Sequence, residues 1–373
     1  MEKIRITSVH SEMEVIGREL FLSKQHIYTE KLQREIYAVI DRVLPDAPQS
    51  EKDGVFYRSI YDYWVYGCNI NEELFYHFAD KSHEEKSEYL TVKNRFPYMH
   101  HINKKEDAHL LNDKFEAYQI LKPYFKRDMI EVSGNEDFEK FSEFVKKHPT
   151  FVVKPSDLGL AIGIHKETLN EGDDIRAAFD ALLKEGMQNK SDYRWSKKSS
   201  IILEELIEQA SPLSDIHPHS VNAVRCTTIR TDNDTIIFYP WLKIGMDGEF
   251  ATCGIRGSLL AAIDPETGVI TTNGLGEFCQ EYEAHPMTGV KFKGFVIPKW
   301  QEMLDMAKEM AELFPTIRYI GWDMVLTNDG WCVMEGNFAG EFMGQLTQGR
   351  GMKKELEELI GWKPDYDFWW QEK

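Results

Sequence analysis

Apolar positions fall into distinct patterns along the chain. From Glu12 to about Val43, residues Val15, Leu20, Ile27, Leu32, Ile36, Val39 and Ile40 recur mostly at steps of three and four, the spacing that lines one face of a helix. Leu44-Pro45-Asp46-Ala47-Pro48 ends that run. Val55 to Leu90 is crowded with rings, among them Phe56, Tyr57, Tyr61, Trp64 and Tyr66, and then becomes charged. This predicts more helix, with the rings as packing rather than as a substrate platform. Residues 1 to about 105 therefore read as a helical N-terminal region.

From Asp107 short strands alternate with helices. Asn112-Asp113-Lys114-Phe115 opens a helix with a residue able to cap it, Thr150 to Pro155 (TFVVKP) is a buried strand stopped by proline, and Asp173 to Glu185 is helical. Ser200 to Ile207 (SIILEELI) is another buried strand, and Asn222 to about Ile270 alternates through turns at Asp232-Asn233-Asp234, Asp247-Gly248 and Pro265 to Gly268, which predicts an antiparallel meander. Trp300 to Phe314 is helical. Gly321 to Asn337 (GWDMVLTNDGWCVMEGN) then alternates, turns at Asn328-Asp329-Gly330 and alternates again. No internal repeat or low-complexity segment is visible.

The last hairpin places acids among apolar residues. A three-residue loop with Gly330 in the left-handed position would pair Thr327 with Trp331, Val325 with Val333, and Asp323 with Glu335. Asp323, Glu335 and Asn337 would then share one face, and Trp322, Met324 and Met334 the other. Cross-strand partners lie about 5 Å apart at Cβ, where like charges destabilise a sheet. A hard divalent cation would relieve this, since Mg²⁺ takes carboxylate and amide oxygens and completes its shell with water and substrate phosphates. A surface hairpin with both acids in water, or a one-residue slip of register, are the alternatives, and the hairpin alone does not decide between them.

Upstream, Lys154 follows three apolar residues and precedes PSDLGLAIG, a loop with Gly159 and Gly163 whose backbone amides suit a phosphate beside the ammonium. The strand Ile201 to Ile207 offers edge peptide groups to a planar heterocycle, with acids for an exocyclic amine or a ribose hydroxyl; a plain strand ending in solvent-facing acids is the alternative. Arg256 in Gly254-Ile255-Arg256-Gly257 has the planar fork that suits a carboxylate or phosphate, or else is a turn residue. His217 and His219 flank Pro218 with no third ligand near in sequence, so no metal is expected there, and His285 reads as a loop residue. Asp367 to Trp370 reads as a tail packing its rings.

Composition narrows the class. A chain of 373 residues, 42% hydrophobic, can support several domains. Its net charge of -18 is spread along the sequence and argues against a phosphate backbone as partner, so no nucleic acid is expected. No stretch is long and apolar enough to span a bilayer and the N-terminus lacks an apolar leader, which predicts a cytoplasmic protein. The 5 cysteines are scattered without a C-x-x-C pair and read as reduced thiols.

Taken in order, Asn112-Asp113-Lys114, Val152-Val153-Lys154-Pro155 with its glycine loop, Leu203-Glu204-Glu205-Leu206, Ser220-Val221-Asn222-Ala223-Val224-Arg225, Gly321-Trp322-Asp323 and Met334-Glu335-Gly336-Asn337 resemble the ATP-grasp superfamily. DPETGVI, HPMTGVKFKGFVIPKW, YIGWDMVLTNDGW and EGNFAGEFMGQLTQGRGMKK resemble its sugar-transfer-associated branch, over about Asp107 to Lys354. The resemblance implies an α+β fold in which two lobes clasp ATP. Residues 106–207 would carry the phosphate loop and adenine hinge, and 208–373 the metal-binding hairpin and a C-terminal helix, after the helical region 1–105. It implies that Lys114 and Lys154 contact phosphates, that the Ser156 to Gly163 loop closes over them, and that Glu204, Glu205, Leu206 and Ile207 hold adenine. Glu208 would touch ribose, Arg225 would steady the transferred phosphoryl group, and Asp323, Glu335 and Asn337 would bind Mg²⁺. Leu160 and Ala161 stand where many relatives carry glycine or serine, a departure that leaves open which amides touch phosphate. The implied activity is an ADP-forming ligase with Lys154, Arg225 and Arg256 as catalytic groups. It would activate a small-molecule carboxylate as an acyl phosphate and join it to an amine, in modification of a sugar or surface polysaccharide. A kinase that stops after phosphoryl transfer and a non-catalytic nucleotide binder are the other readings.

Overall fold

The structure, a computed structural model, describes residues 8–156, 163–188, 200–246, 257–277, 280–338, 340 and 342–365. The chain divides into two compact units, Met1–His101 with Glu341–Lys373, and Ile102–Gly340. Among the described residues no helix is long and apolar enough to cross a membrane.

The first unit is helical, as its periodicity predicts. Ser8–Ser23, Glu30–Val43 and Gln49–Tyr66 are its long helices. Thr29 caps the second by accepting the Leu32 N–H, and Gly67, at φ 68°, closes the third in the left-handed conformation that glycine adopts without strain. Ile36, Ile40, Val55, Phe56 and Ile60 form one core, in which Tyr37 stacks on Phe56 with ring centres 4.8 Å apart. The aromatic run is thus structural. The C-terminal segment belongs to this unit: buried Gln345 accepts the Leu90 N–H at 2.7 Å and donates to the Leu90 carbonyl at 3.0 Å.

The second unit holds two antiparallel sheets. The smaller contains β1 (Met129–Val132), β2 (Thr150–Pro155), β3 (His165–Thr168) and β4 (Ile201–Glu205) in the order β1-β4-β2-β3. Helices Phe138–Lys147 and Ile175–Gln188 serve it, Phe141, Phe144 and Phe179 packing with Phe151, Val153 and Leu203 in one core.

The larger sheet is the predicted meander closed by the predicted hairpin. Its strands are β5 (Ala223–Arg230), β6 (Thr235–Ile237), β7 (Trp241–Gly245), β8 (Ser258–Ala262), β9 (Gly274–Leu275), β10 (Glu281–Tyr282), β11 (Tyr319–Thr327) and β12 (Gly330–Asn337). They run β10-β9-β8-β7-β5-β11-β12, with β6 on β5. Helix Trp300–Glu312 packs Met303, Ala307 and Met310 in one core with Ile320, Trp322 and Met324 of β11.

Two local expectations need correction. The loop between β11 and β12 is two residues, not three: Thr327 pairs with Gly330, Leu326 with Trp331, Val325 with Cys332 and Met324 with Val333. A bulge between Asp323 and Met324 then restores the Asp323–Glu335 pair, so the sequence-derived partnership holds by a different path. The inserted residue is Met334, which packs against Ala223, Val325 and Cys332 on the Asp323 face rather than on the opposite one. The second correction concerns β4, which lies between β1 and β2. Glu204 faces Met129 on one side and Val152 on the other, so this strand presents no open edge. Leu206, Ile207 and Glu208 follow it, beyond the end of the strand.

Candidate functional site

Asp323 lies on β11, one strand in from the edge of the larger sheet, paired with Arg225 on β5 and Glu335 on β12. A buried carboxylate needs compensation, and Arg225 supplies a two-pronged contact, Nε to Oδ1 at 2.7 Å and NH2 to Oδ2 at 3.1 Å. Lys243 on β7 stands 4.0 Å from Oδ2. Burial pushes the Asp323 carboxyl up, but Arg225, Lys243 and a hydrogen bond from Asn337 outweigh it and hold the group below the ordinary carboxylate range. Asn337 also donates to the Gly321 carbonyl at 3.1 Å. The guanidinium of Arg225 sits over the Trp241 ring and against Gly321 and Gly340, where a Cβ would lie 3.3 Å from its atoms. The positive charge beside Asp323 is thus an arginine of the neighbouring strand.

Glu335 is half-buried, and its Oε1 lies 3.6 Å from the ammonium of Lys114. Lys114 opens the helix Lys114–Phe125, whose cap is Asp113, accepting the Phe115 and Glu116 N–H groups at 3.0 Å each. The Lys114 N–H donates to the Ser156 carbonyl at 3.0 Å, tying this helix to the start of the predicted phosphate loop. Lys114, Lys154 and Glu335 line one pocket, floored by Ala117, Phe125, Met129 and Gly336.

Lys154 is the last residue but one of β2 and is buried. Its ammonium pairs with Glu204 on β4, and Glu204 pairs in turn with Arg127. Burial pushes the Lys154 pKa down, and Glu204 offsets this only in part. Burial alone would raise the Glu204 carboxyl, but Arg127 and Lys154 bring it below its ordinary value. Its side chain therefore serves these two cations. Glu205 accepts the Asp128 N–H at 2.9 Å. Gly163 is left-handed at φ 73°, as the end of a glycine-dependent loop would require. Gly159 and Arg256 lie outside the described residues, as does the Asp367 to Trp370 tail.

Two participants were not singled out in the sequence. Lys243 was legible in principle, being the one charge in the apolar strand Trp241–Gly245. Arg127, in Lys126-Arg127-Asp128, looks like a surface residue and carries no periodic signal. His217 shares a hydrogen bond with Ser220 and His285 one with the Gly245 carbonyl. Among the described residues one group, Asp128, His148 and Glu205, has three potential ligand atoms close together, but Lys147 and His148 already pair with Asp128.

Opposed acids on adjacent strands, an arginine on the next strand, and two lysines at a loop and a helix start thus lie in one α+β unit of two antiparallel sheets. Residues 93–360 match the family model described as sugar-transfer associated ATP-grasp, and the chain belongs to that family. No curated protein matches it. Among solved structures it is similar to the ATP-grasp ligase PsnB complexed with minimal precursor, at 15% identity and a TM-score of 0.38, covering 70% of this chain and 59% of that one. It is also similar to D-alanyl-alanine synthetase A from Vibrio cholerae, at 12% identity and a TM-score of 0.39, with coverage of 68% and 62%. For the VanG D-Ala:D-Ser ligase from Enterococcus faecalis the values are 15%, 0.42, 67% and 61%. The chain spans about three fifths of the length of each of these.

The residues present suit the groups this family implies. Asp323, Glu335 and Asn337 offer the hard oxygens that Mg²⁺ prefers. Lys114 and Lys154 offer charge for phosphates, and the hydroxyl of Ser156 is fully buried with no hydrogen-bond partner among the described residues, an unmet donor at the start of the loop.

Proposed function

We propose that this chain is an ATP- and Mg²⁺-dependent ligase that activates a small-molecule carboxylate and joins it to an amine, with the two sheets of the second unit as its lobes. The observation that carries this reading is the buried Asp323 opposite Glu335, with Arg225 clamped on the first and Lys114 beside the second. Asp323, Glu335 and Asn337 would hold Mg²⁺, which when bound offsets charge on the phosphate oxygens. Lys114 and Lys154 would bind the phosphates, with Ser156 and Gly163 bounding the loop over them. Leu206 and Ile207 would offer peptide groups to the adenine and Glu208 a carboxylate to the ribose, while Glu204 and Glu205 stay with their protein partners.

With nucleotide bound, a carboxylate oxygen of the substrate would take the γ-phosphoryl group as ADP leaves. An amine would then attack the acyl carbon, losing a proton as phosphate departs. Arg225 would orient the transferred group with its fork, and Arg256 would hold the anionic substrate. The family description supports a substrate in sugar or surface-polysaccharide modification, and the absence of a spanning helix among the described residues is compatible with cytoplasmic work.

The test is incubation with ATP, Mg²⁺ and a panel of carboxylic acids in the presence of hydroxylamine. The expected result is acid-dependent ADP and a trapped hydroxamate, both lost in Glu335→Gln. A stable phosphorylated product without hydroxamate would overturn the ligase in favour of a kinase. Nucleotide binding with no ADP for any acceptor would make the chain a binder.

A further inference from the structure

β12 is the outer strand of its sheet, and its bulge interrupts the ladder next to Glu335. Backbone carbonyls at such a place need partners from elsewhere. Arg127 provides them: NH1 donates to the Val333 carbonyl at 2.7 Å and NH2 to the Met334 carbonyl at 3.4 Å, the residue just before Glu335. NH1 also donates to the Phe125 carbonyl at 2.9 Å, and the guanidinium lies over the Phe125 ring. Its Nε pairs with Glu204, whose carboxylate holds Lys154. One buried guanidinium thus touches the counter-ion of the smaller sheet's lysine and the two carbonyls that fix the larger sheet's bulge.

We infer that Arg127 is the positioning residue of the site: it pins the β12 bulge so that Glu335 stands opposite Asp323, and it ties that pair to Lys154 through Glu204. The inference rests on the proposed function for what Glu335 and Lys154 bind, but its structural half stands without it. A lysine cannot replace it, because donors radiating from a single nitrogen cannot reach a carboxylate on one side and two carbonyls on the other. Losing the tie lets the bulge relax towards regular pairing, which turns Glu335 away from its partner.

The test compares the full chain with Arg127→Lys and with Arg127→Met, which removes the guanidinium but leaves Glu204 paired with Lys154 and so separates positioning from the loss of a buried counter-ion. Hydrogen exchange in the absence of ligand is read at the amides of residues 331–337. They are expected to exchange faster in both variants while the helix Trp300–Glu312 stays protected. Nucleotide binding is then titrated against Mg²⁺, using ADP as the probe, and the Mg²⁺ midpoint is expected to rise about tenfold or more, as for lost supports of metal ligands. Unchanged exchange in folded variants, or an unchanged Mg²⁺ midpoint, overturns the inference. If the unaltered chain binds no nucleotide at all, the proposed function fails while the exchange measurement still decides the role of Arg127.

Discussion

Asp323 is a carboxylate taken almost wholly out of water, and such a group survives ionised only because opposite charge and hydrogen bonds replace its hydration. Arg225 does most of this, with Lys243 further off. Removing one partner of a buried pair leaves the other uncompensated, whereas removing both charges need not destabilise. Arg225→Met should therefore cost about 3 kcal/mol of unfolding free energy in urea. The double variant Arg225→Met/Asp323→Asn should recover part of that loss, since the carboxylate leaves with the guanidinium and only Lys243, 4.0 Å away, loses a partner. Equal losses in the single and the double variant would show that the pair is not coupled. Under the proposed function, a cation taken up at Asp323 would compete with the arginine already paired there.

At the scale of elements, the helix Lys114–Phe125 delivers a lysine to the site from its first turn, and the position of that lysine depends on where the helix begins. Asp113 fixes the start by accepting two of the otherwise unpaired N–H groups. Asp113→Ala should lower stability by about 1 kcal/mol in urea denaturation, and Asp113→Ser should retain most of the cap. Equal losses for the two variants would mean that the cap does not set the helix start. This cap was legible, as were β2, β4, the meander and the hairpin, because each rests on short-range periodicity and turn chemistry. The bulge in β12 was not. It follows from a two-residue turn meeting a long-range need to face Asp323 with Glu335, and alternation carries no record of such a need. The pairing of Ile201–Glu205 was not legible either: it is bonded on both sides by β1 and β2, and strand order is not written in one strand's sequence. Arg127 escaped notice because its five donors are divided among partners distant along the chain, from Phe125 to Met334.

For the molecule as a whole, the acids that matter to pH lie in different units and act in opposite directions. Asp323 and Glu204, in the second unit, are held below their ordinary values and contribute stability that is lost as the pH falls through their folded pKa. Glu73, in the helical unit, does the reverse. It is buried, its Oε2 has no hydrogen-bond partner among the described residues, and burial followed by the charge of Asp62 raises its pKa from 4.5 to about 8, against the pull of Arg58 and Lys86. The folded chain therefore keeps a proton there that the unfolded chain gives up near pH 4.5. Its contribution is intact below that value and is lost as the pH rises towards 8, at up to about 1.4 kcal/mol per unit. Between pH 6 and 8 the lowered carboxyls of Asp323 and Glu204 are ionised in both folded and unfolded chains and add no slope, so the difference between wild type and Glu73→Gln isolates this one group. The unfolding midpoint of the wild type should fall more steeply over that range than that of Glu73→Gln, whose neutral amide keeps the shape of the protonated acid. Parallel curves for the two proteins would show that Glu73 is already ionised when folded, and that Arg58 and Lys86 outweigh its burial.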